Sequence, residues 1–201
     1  MGYISQLNHI DIIIIVVVLF FGMRGFMKGF AVSVISLAKY AVAIFFTSMY
    51  YKQLAHYITS NSTMLEFLDR LSHKLFSSLP NAETVIANSD VVFSRALAIV
   101  LLFIFANMLV SLIASFVDGM LKIKSLGFLN KLAGFIFGAA KGLILIMLVF
   151  IIVNPFAALN PEGGFAKSLN ESLITKYIYM YNFMFKYFNG LIEIFNGNHL
   201  G

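Results

Sequence analysis

The sequence predicts an all-α integral membrane protein, with about four transmembrane helices and further amphipathic helices at the membrane interface. Three observations carry this. Of 201 residues, 60% are hydrophobic and only 11% charged, with a mean hydropathy of +0.90. Soluble domains hold roughly 25% charged and 45–50% apolar residues, and a globule of this size leaves too much surface exposed to hide such an excess. The apolar residues gather into four runs, and the thin net charge of +5 suits cations placed beside membrane spans.

The first run, residues 10–23 (IDIIIIVVVLFFGM), rises only about 21 Å as a helix. To cross a hydrocarbon core of ~30 Å it must borrow residues, back to Ile4 or forward past Gly25, and we place the span at residues 4–23. Residues 30–51, 91–117 and 132–153 are each long enough alone, with Pro155 expected to close the last. Residues 1–155 thus form a four-span domain. No Lys or Arg precedes the first run and no small-x-small site follows it, so it is expected to remain in the mature protein.

Residues 52–90 are the most polar part. Met64, Leu68, Leu71 and Leu75 recur at helical spacing, Thr63 to Glu66 fits a capping box, and Pro80 follows. An amphipathic helix on the membrane or the bundle is expected. Residues 156–201 open with the turn NPEGG and carry aromatics at 177, 179, 181, 183, 185 and 187. Because the intervening positions are also apolar, a helix lying at the lipid interface is preferred to a strand. A fifth, partly inserted segment is the alternative.

Two glycine-rich stretches stand out. In GMRGFMKGF, residues 22–30, a helical reading puts Gly22, Gly25 and Gly29 within about 60° of one another, with Arg24 and Lys28 opposite. That is a small-xxx-small packing face. The preferred reading is a turn, in which the glycines supply special backbone angles and the cations mark the cytoplasmic side. In the second stretch Gly134, Gly138, Lys141 and Gly142 share one helix face, extended by Asn130 and Lys131. Lys141 sits about nine residues into an apolar run, where ionisable groups are costly and usually partnered; a lysine snorkelling to a nearby interface is the alternative. Ser33, Ser36, Tyr40, Ala43 and Thr47 form a stripe on the second span with Lys39 beside it, and Asn107, Ser111, Ser115 and Asp118 form one on the third. Asp11 or Asp118 is expected to neutralise Lys39 or Lys141, with plain interhelical hydrogen bonding as the alternative.

Several chemistries find no support. Cys is absent, and the four His residues show no ligand spacing, so no metal or thiol site is expected. No phosphate-binding or nucleophile motif is present. The protein is expected not to be an enzyme, to need no cofactor and to bind no nucleic acid.

The order of these features resembles the colicin V production protein (CvpA) family of bacterial inner-membrane proteins. The resemblance covers roughly residues 5–155, from Asp11 through Arg24-Gly25-Phe26-x-x-Gly29 to Asn130-Lys131-x-x-Gly134-x-x-x-Gly138-x-x-Lys141-Gly142. It implies four spans and a multi-pass protein of the bacterial inner membrane that supports production or export of a peptide toxin, or envelope homeostasis. Arg24, Gly25, Gly29, Gly134, Gly138, Lys141 and Gly142 match the family's signature positions, and none implies a catalytic role. The expected mechanism is an accessory or scaffold protein whose glycine seams bind partner helices, either its own copies or secretion-machinery proteins. The alternative is a small channel or transporter with Arg24, Lys39 and Lys141 along a polar path.

Overall fold

The computed structural model describes residues 7–77, 82–118 and 127–188. Among the described residues there is no strand. The helices are α1 (His9–Lys28), α2 (Phe30–Ser60), α3 (Ser62–Phe76), α4 (Ala82–Asp118), α5 (Gly127–Leu159), α6 (Gly164–Glu171) and α7 (Leu173–Tyr181), followed by a 3-10 turn at Phe183–Lys186. Helices α1, α2 and α5, and Ser89–Ile113 within α4, are long and apolar enough to cross a membrane.

The short first run reaches spanning length by borrowing forward. Helix α1 continues through Gly25 to Lys28, and its 20 residues rise about 30 Å. Its start is fixed by a capping box: the Asn8 side chain accepts from the N–H groups of Ile10 and Asp11, and the Asp11 carboxylate accepts from the Asn8 N–H. Both readings of residues 22–30 hold in part. The helix persists to Lys28, and Gly29, at φ 82°, makes the turn into α2.

The outer surface of the bundle is apolar. On α1, Ile12, Val16, Phe20, Met23 and Met27 form one exposed stripe. In water such a face would drive aggregation, whereas in hydrocarbon it matches the solvent. This is an all-α membrane protein.

Helix α5 is the centre. It packs along α1 and also against α2, while α2 packs on α4 and α3 folds back onto α4. Although α1 and α2 are consecutive, they contact each other far less than either contacts α5, which lies between them. The core gathers Ile14, Ile44, Tyr51, Ile99 and Ile151 from all four spans.

Three details depart from the sequence reading. The N-cap of α3 is Asn61, whose side chain accepts from the Met64 N–H, so the cap lies two residues before Thr63. Its buried face is centred on Leu68 and Ser72, with Met64 and Leu75 exposed, because Ser72 pairs with Ser89 of α4 at 2.7 Å. Pro155 does not close α5, which runs on to Leu159. The hydrogen bond that proline removes is offset by packing of Phe156 edge-on to Phe93, ring centres 5.0 Å apart, and by burial of Leu159.

The aromatic tail is not one helix on the surface. Helices α6 and α7 sit at the Asp11 end of α1, and the chain then descends along α5. Asn182 donates to the Met147 carbonyl at 2.9 Å, and Phe183 and Met184 reach the level of Ile144 and Ile44. Phe188 then packs on Tyr51, seven residues nearer the Ser60 end of α2 than Ile44. The segment runs into the bundle along α5 and turns back to pack on α2. Broken helix is tolerated at this depth because Asn182, Met184 and Phe188 are buried in protein.

Candidate functional site

The site is built on a backbone contact. Helices α1 and α5 approach so closely that glycine is required on both sides. A methyl group on Gly25 would overlap the Gly134 carbonyl oxygen and lie 2.9 Å from the Gly138 Cα, against ordinary carbon contacts of about 3.5–4.0 Å. One on Gly134 would meet the backbone of Gly25 and Gly29, and one on Gly138 the Phe21 carbonyl. Gly142 continues the seam to Phe21 and Val18, and Gly22 receives the Phe135 ring. The glycine faces expected to bind partner helices are therefore filled from within the chain.

At the turn, α5 also caps α2. Gly29 has no side chain to offer, and the Phe30 N–H donates instead to Asn130 Oδ1 at 3.2 Å, across 100 residues. The Asn130 amide occupies the space a Cβ on Gly29 would need, 2.6 Å away. Gly29 is thus required both for its positive φ and for that contact.

With α5 seated between them, α1 and α2 diverge around a cavity of about 320 Å³. Arg24 and Lys28 of α1 stand exposed at its rim, and Lys141 of α5 is half-buried within it. Helix α2 supplies Ser33, Ser36 and Tyr40. None of the lining residues is acidic. The Lys141 ammonium donates to Ser36 Oγ at 2.7 Å and lies over the Tyr40 ring at 4.1 Å and the Phe21 ring at 5.4 Å. These contacts hold the cation in place without cancelling its charge. Lys28, Arg24 and Lys39 lie within electrostatic range of it.

Asp11 is elsewhere. Phe21 touches Lys141, and Asp11 lies ten residues away along α1, about 15 Å. Its buried carboxylate accepts from Asn8 N–H at 3.0 Å, Ser172 Oγ at 2.6 Å, Leu173 N–H at 3.4 Å and Ile174 N–H at 2.9 Å. The expected pairing of Asp11 with Lys39 or Lys141 is therefore replaced by a different role: one carboxylate caps α1 and holds the N-terminus of α7. Asp118 ends α4, but its side chain lies outside the described ones. On α4, Asn107 is half-buried and Ser111 exposed, and the α4 stripe does not line the cavity. Lys39 is half-buried on α2 and is not a lining residue.

The sequence reading puts Arg24 and Lys141 on one polar path with Lys39, and Ser33, Ser36 and Tyr40 on a separate stripe; the structure brings these together and leaves Lys39, Ala43 and Thr47 out of the lining. That reading missed Phe21 as a wall, since nothing distinguishes that aromatic within an apolar run. It also missed Ser172 and Asn182, whose partners are 161 and 35 residues away.

Residues 10–182 match the family model for colicin V production protein. The chain belongs to that family. The match continues through α7, beyond the roughly 5–155 that the sequence motifs cover, in keeping with a tail built into the bundle. The transmembrane protein YshB of Bacillus subtilis (strain 168) is 22% identical to the chain over 187 residues, covering 92% of this chain and 95% of that protein. No solved structure matches.

Proposed function

We propose that this colicin V production family protein is a non-enzymatic, multi-pass component of the bacterial inner membrane. It supports production or export of a peptide toxin, or envelope homeostasis, as an accessory that presents a different surface at each membrane face. Family membership supports the process. The observation that carries the mechanism is the asymmetry of the bundle. One end holds Arg24, Lys28, Lys131 and the cavity, and the other holds α3, α6 and α7. We assign the end with the short α1–α2 turn, beside Arg24 and Lys28, to the cytoplasm. Partners dock on surfaces other than the glycine seam, which α1 and α5 fill themselves.

Replacement of the chromosomal gene in the source bacterium tests this. Gly138→Leu, which breaks the α1–α5 contact, should reduce toxin export or detergent resistance as severely as deletion. Gly164→Ala, with no atom near the new methyl, should leave both normal. A deletion strain with unchanged export and unchanged envelope resistance would refute the role.

A second reading is a path for anionic solutes, favoured by the cationic cavity. Purified protein in liposomes should then pass anions, with less flux in Lys141→Met. Above the cavity, however, Gly142 rests on Val18 and Phe21, which favours the accessory reading.

A further inference from the structure

We propose that the cavity between α1, α2 and α5 is a binding site for a phosphoryl oxyanion presented at the cation-rich face of the membrane. The inference goes beyond the accessory role and does not depend on which envelope process the protein serves. Its first support is charge. Arg24, Lys28 and Lys141 line one concavity with no acidic residue among the lining. Like charges confined beside low-dielectric helices repel one another, and a bound anion relieves that repulsion.

The second support is the arrangement of donors. Arg24 and Lys28 are exposed at the rim, so they meet an arriving anion first. Lys141 waits half-buried at the floor, oriented by Ser36 and the rings of Tyr40 and Phe21. Because Ser36 accepts from Lys141, its own hydroxyl proton remains to be donated. Arg24 adds a planar fork of donors suited to two phosphoryl oxygens. The Ser33 hydroxyl is directed instead to the Gly25 carbonyl, which ties α2 to α1 behind the site.

The third support is size and place. About 320 Å³ lies at the lower end of the ~300–1,000 Å³ range of small-molecule sites, which suits a phosphoryl group with a small substituent. The rim lies beside the α1–α2 turn, since Lys28 is the last residue of α1. Basic pockets between spans at the cytoplasmic face suit lipid headgroups. The same chemistry would take free phosphate from the cytoplasm.

The test uses the full chain in phosphatidylcholine nanodiscs at constant ionic strength set with chloride. One arm titrates inorganic phosphate. The other replaces a tenth of the lipid with phosphatidylglycerol. The midpoint of thermal unfolding is read in both. A rise of several degrees in the first arm assigns free phosphate as the source, and a rise in the second alone assigns the headgroup. Lys141→Met should remove the rise, Lys141→Arg should keep most of it, and Arg24→Gln at the exposed rim should weaken apparent affinity at least tenfold. Lys131→Gln, an exposed cation outside the lining, should leave the rise unchanged. If Lys141→Met fails to fold, Arg24→Gln and Lys131→Gln decide the matter. No rise in either arm, or an equal loss in Arg24→Gln and Lys131→Gln, overturns the site.

Discussion

The hydroxyl of Ser172 donates to Asp11 Oδ1 at 2.6 Å, joining the first turn of α1 to the N-cap of α7 across 161 residues. Both side chains are fully buried. The same carboxylate accepts the backbone N–H groups of Asn8, Leu173 and Ile174. Helix N-termini carry unsatisfied donors and positive partial charge, so a single anion serves two of them.

Removing that carboxylate should release α7 more than it unfolds the spans. Asn8 and Ser172 remain as the N-caps of α1 and α7, but Asn8 N–H, Ser172 Oγ and Ile174 N–H lose their acceptor. Leaving a buried donor unsatisfied costs about 1–3 kcal/mol, so Asp11→Ala should destabilise by at least roughly that amount. Lys176 is exposed on α7, which makes trypsin cleavage there the readout. Asp11→Ala should speed it markedly, and Asp11→Asn, which keeps one acceptor oxygen, should fall between. Cleavage at the wild-type rate in Asp11→Ala would mean that α7 is held by packing alone.

The α1–α5 seam should tolerate almost no side chain. Filling a packed interface costs about 1–3 kcal/mol when neighbours can move, and here the neighbours are backbone atoms. Gly25→Val, Gly134→Leu and Gly138→Leu should each lower the unfolding midpoint in detergent by more than Gly142→Ala. At Gly142 the new methyl meets side chain first, Phe21 Cβ at 3.1 Å. A ranking with Gly142→Ala as the most damaging would contradict the backbone contact.

These two relationships also show what is legible in the sequence. The four spans and the glycine seam come from local rules: length of apolar runs, and small residues one turn apart. Helical spacing also puts Ser33, Ser36 and Tyr40 on one face, but that this face meets Lys141 is decided by which helices pack together, and that carries no local signal. Asp11 departs from the expected lysine pairing because a carboxylate also satisfies backbone donors, and those carry no sequence signal. The turn at Gly29 and the helix through Gly25 looked like rivals; a helix ending at Lys28 accommodates both.

Asn130 should be replaceable by an acceptor but not by an isostere lacking one. Its Oδ1 is the acceptor for the Phe30 N–H. Asn130→Asp keeps an oxygen there and adds negative charge at a helix N-terminus, so it should be near neutral. Asn130→Leu should cost about 1 kcal/mol. Thermal unfolding of the two variants side by side separates a cap from simple packing, which would rank them in the opposite order.

Membrane orientation can be read cleanly because the chain has no Cys. Among the described residues the Gly29 end carries Arg24, Lys28 and Lys131, and the other end carries Lys52, Arg70, Lys74, Lys167 and Lys176, of which Arg70 and Lys167 pair with Glu66 and Glu162. The bias is counted over short connections, and the α1–α2 turn with Arg24 and Lys28 just before it is the shortest, so it is assigned to the cytoplasm. Arg70→Cys should therefore react with an impermeant maleimide on intact spheroplasts, and Lys131→Cys only after permeabilisation. The reverse pattern would invert the orientation and place the cavity at the outer face.

The inserted tail makes the sharpest claim about the aromatic residues, because its burial requires protein on all sides of a broken helix. Asn182 caps the 3-10 turn by accepting from the Met184 N–H at 3.2 Å while donating to Met147. Phe188 is fully buried, its ring 5.2 Å from that of Tyr51. Truncating a buried Phe costs ~3–5 kcal/mol, so Phe188→Ala should strongly destabilise the chain. Tyr187→Ala, at an exposed neighbouring position, should cost well under 1 kcal/mol, as surface changes do. A tail lying flat on the lipid would make the two variants equivalent. Depth-dependent quenching of a bromine-labelled lipid series against Phe183→Trp supplies the second reading, since the chain has no native Trp. Strongest quenching from bromines well below the headgroups is expected, and strongest quenching from the shallowest label would return the tail to the interface.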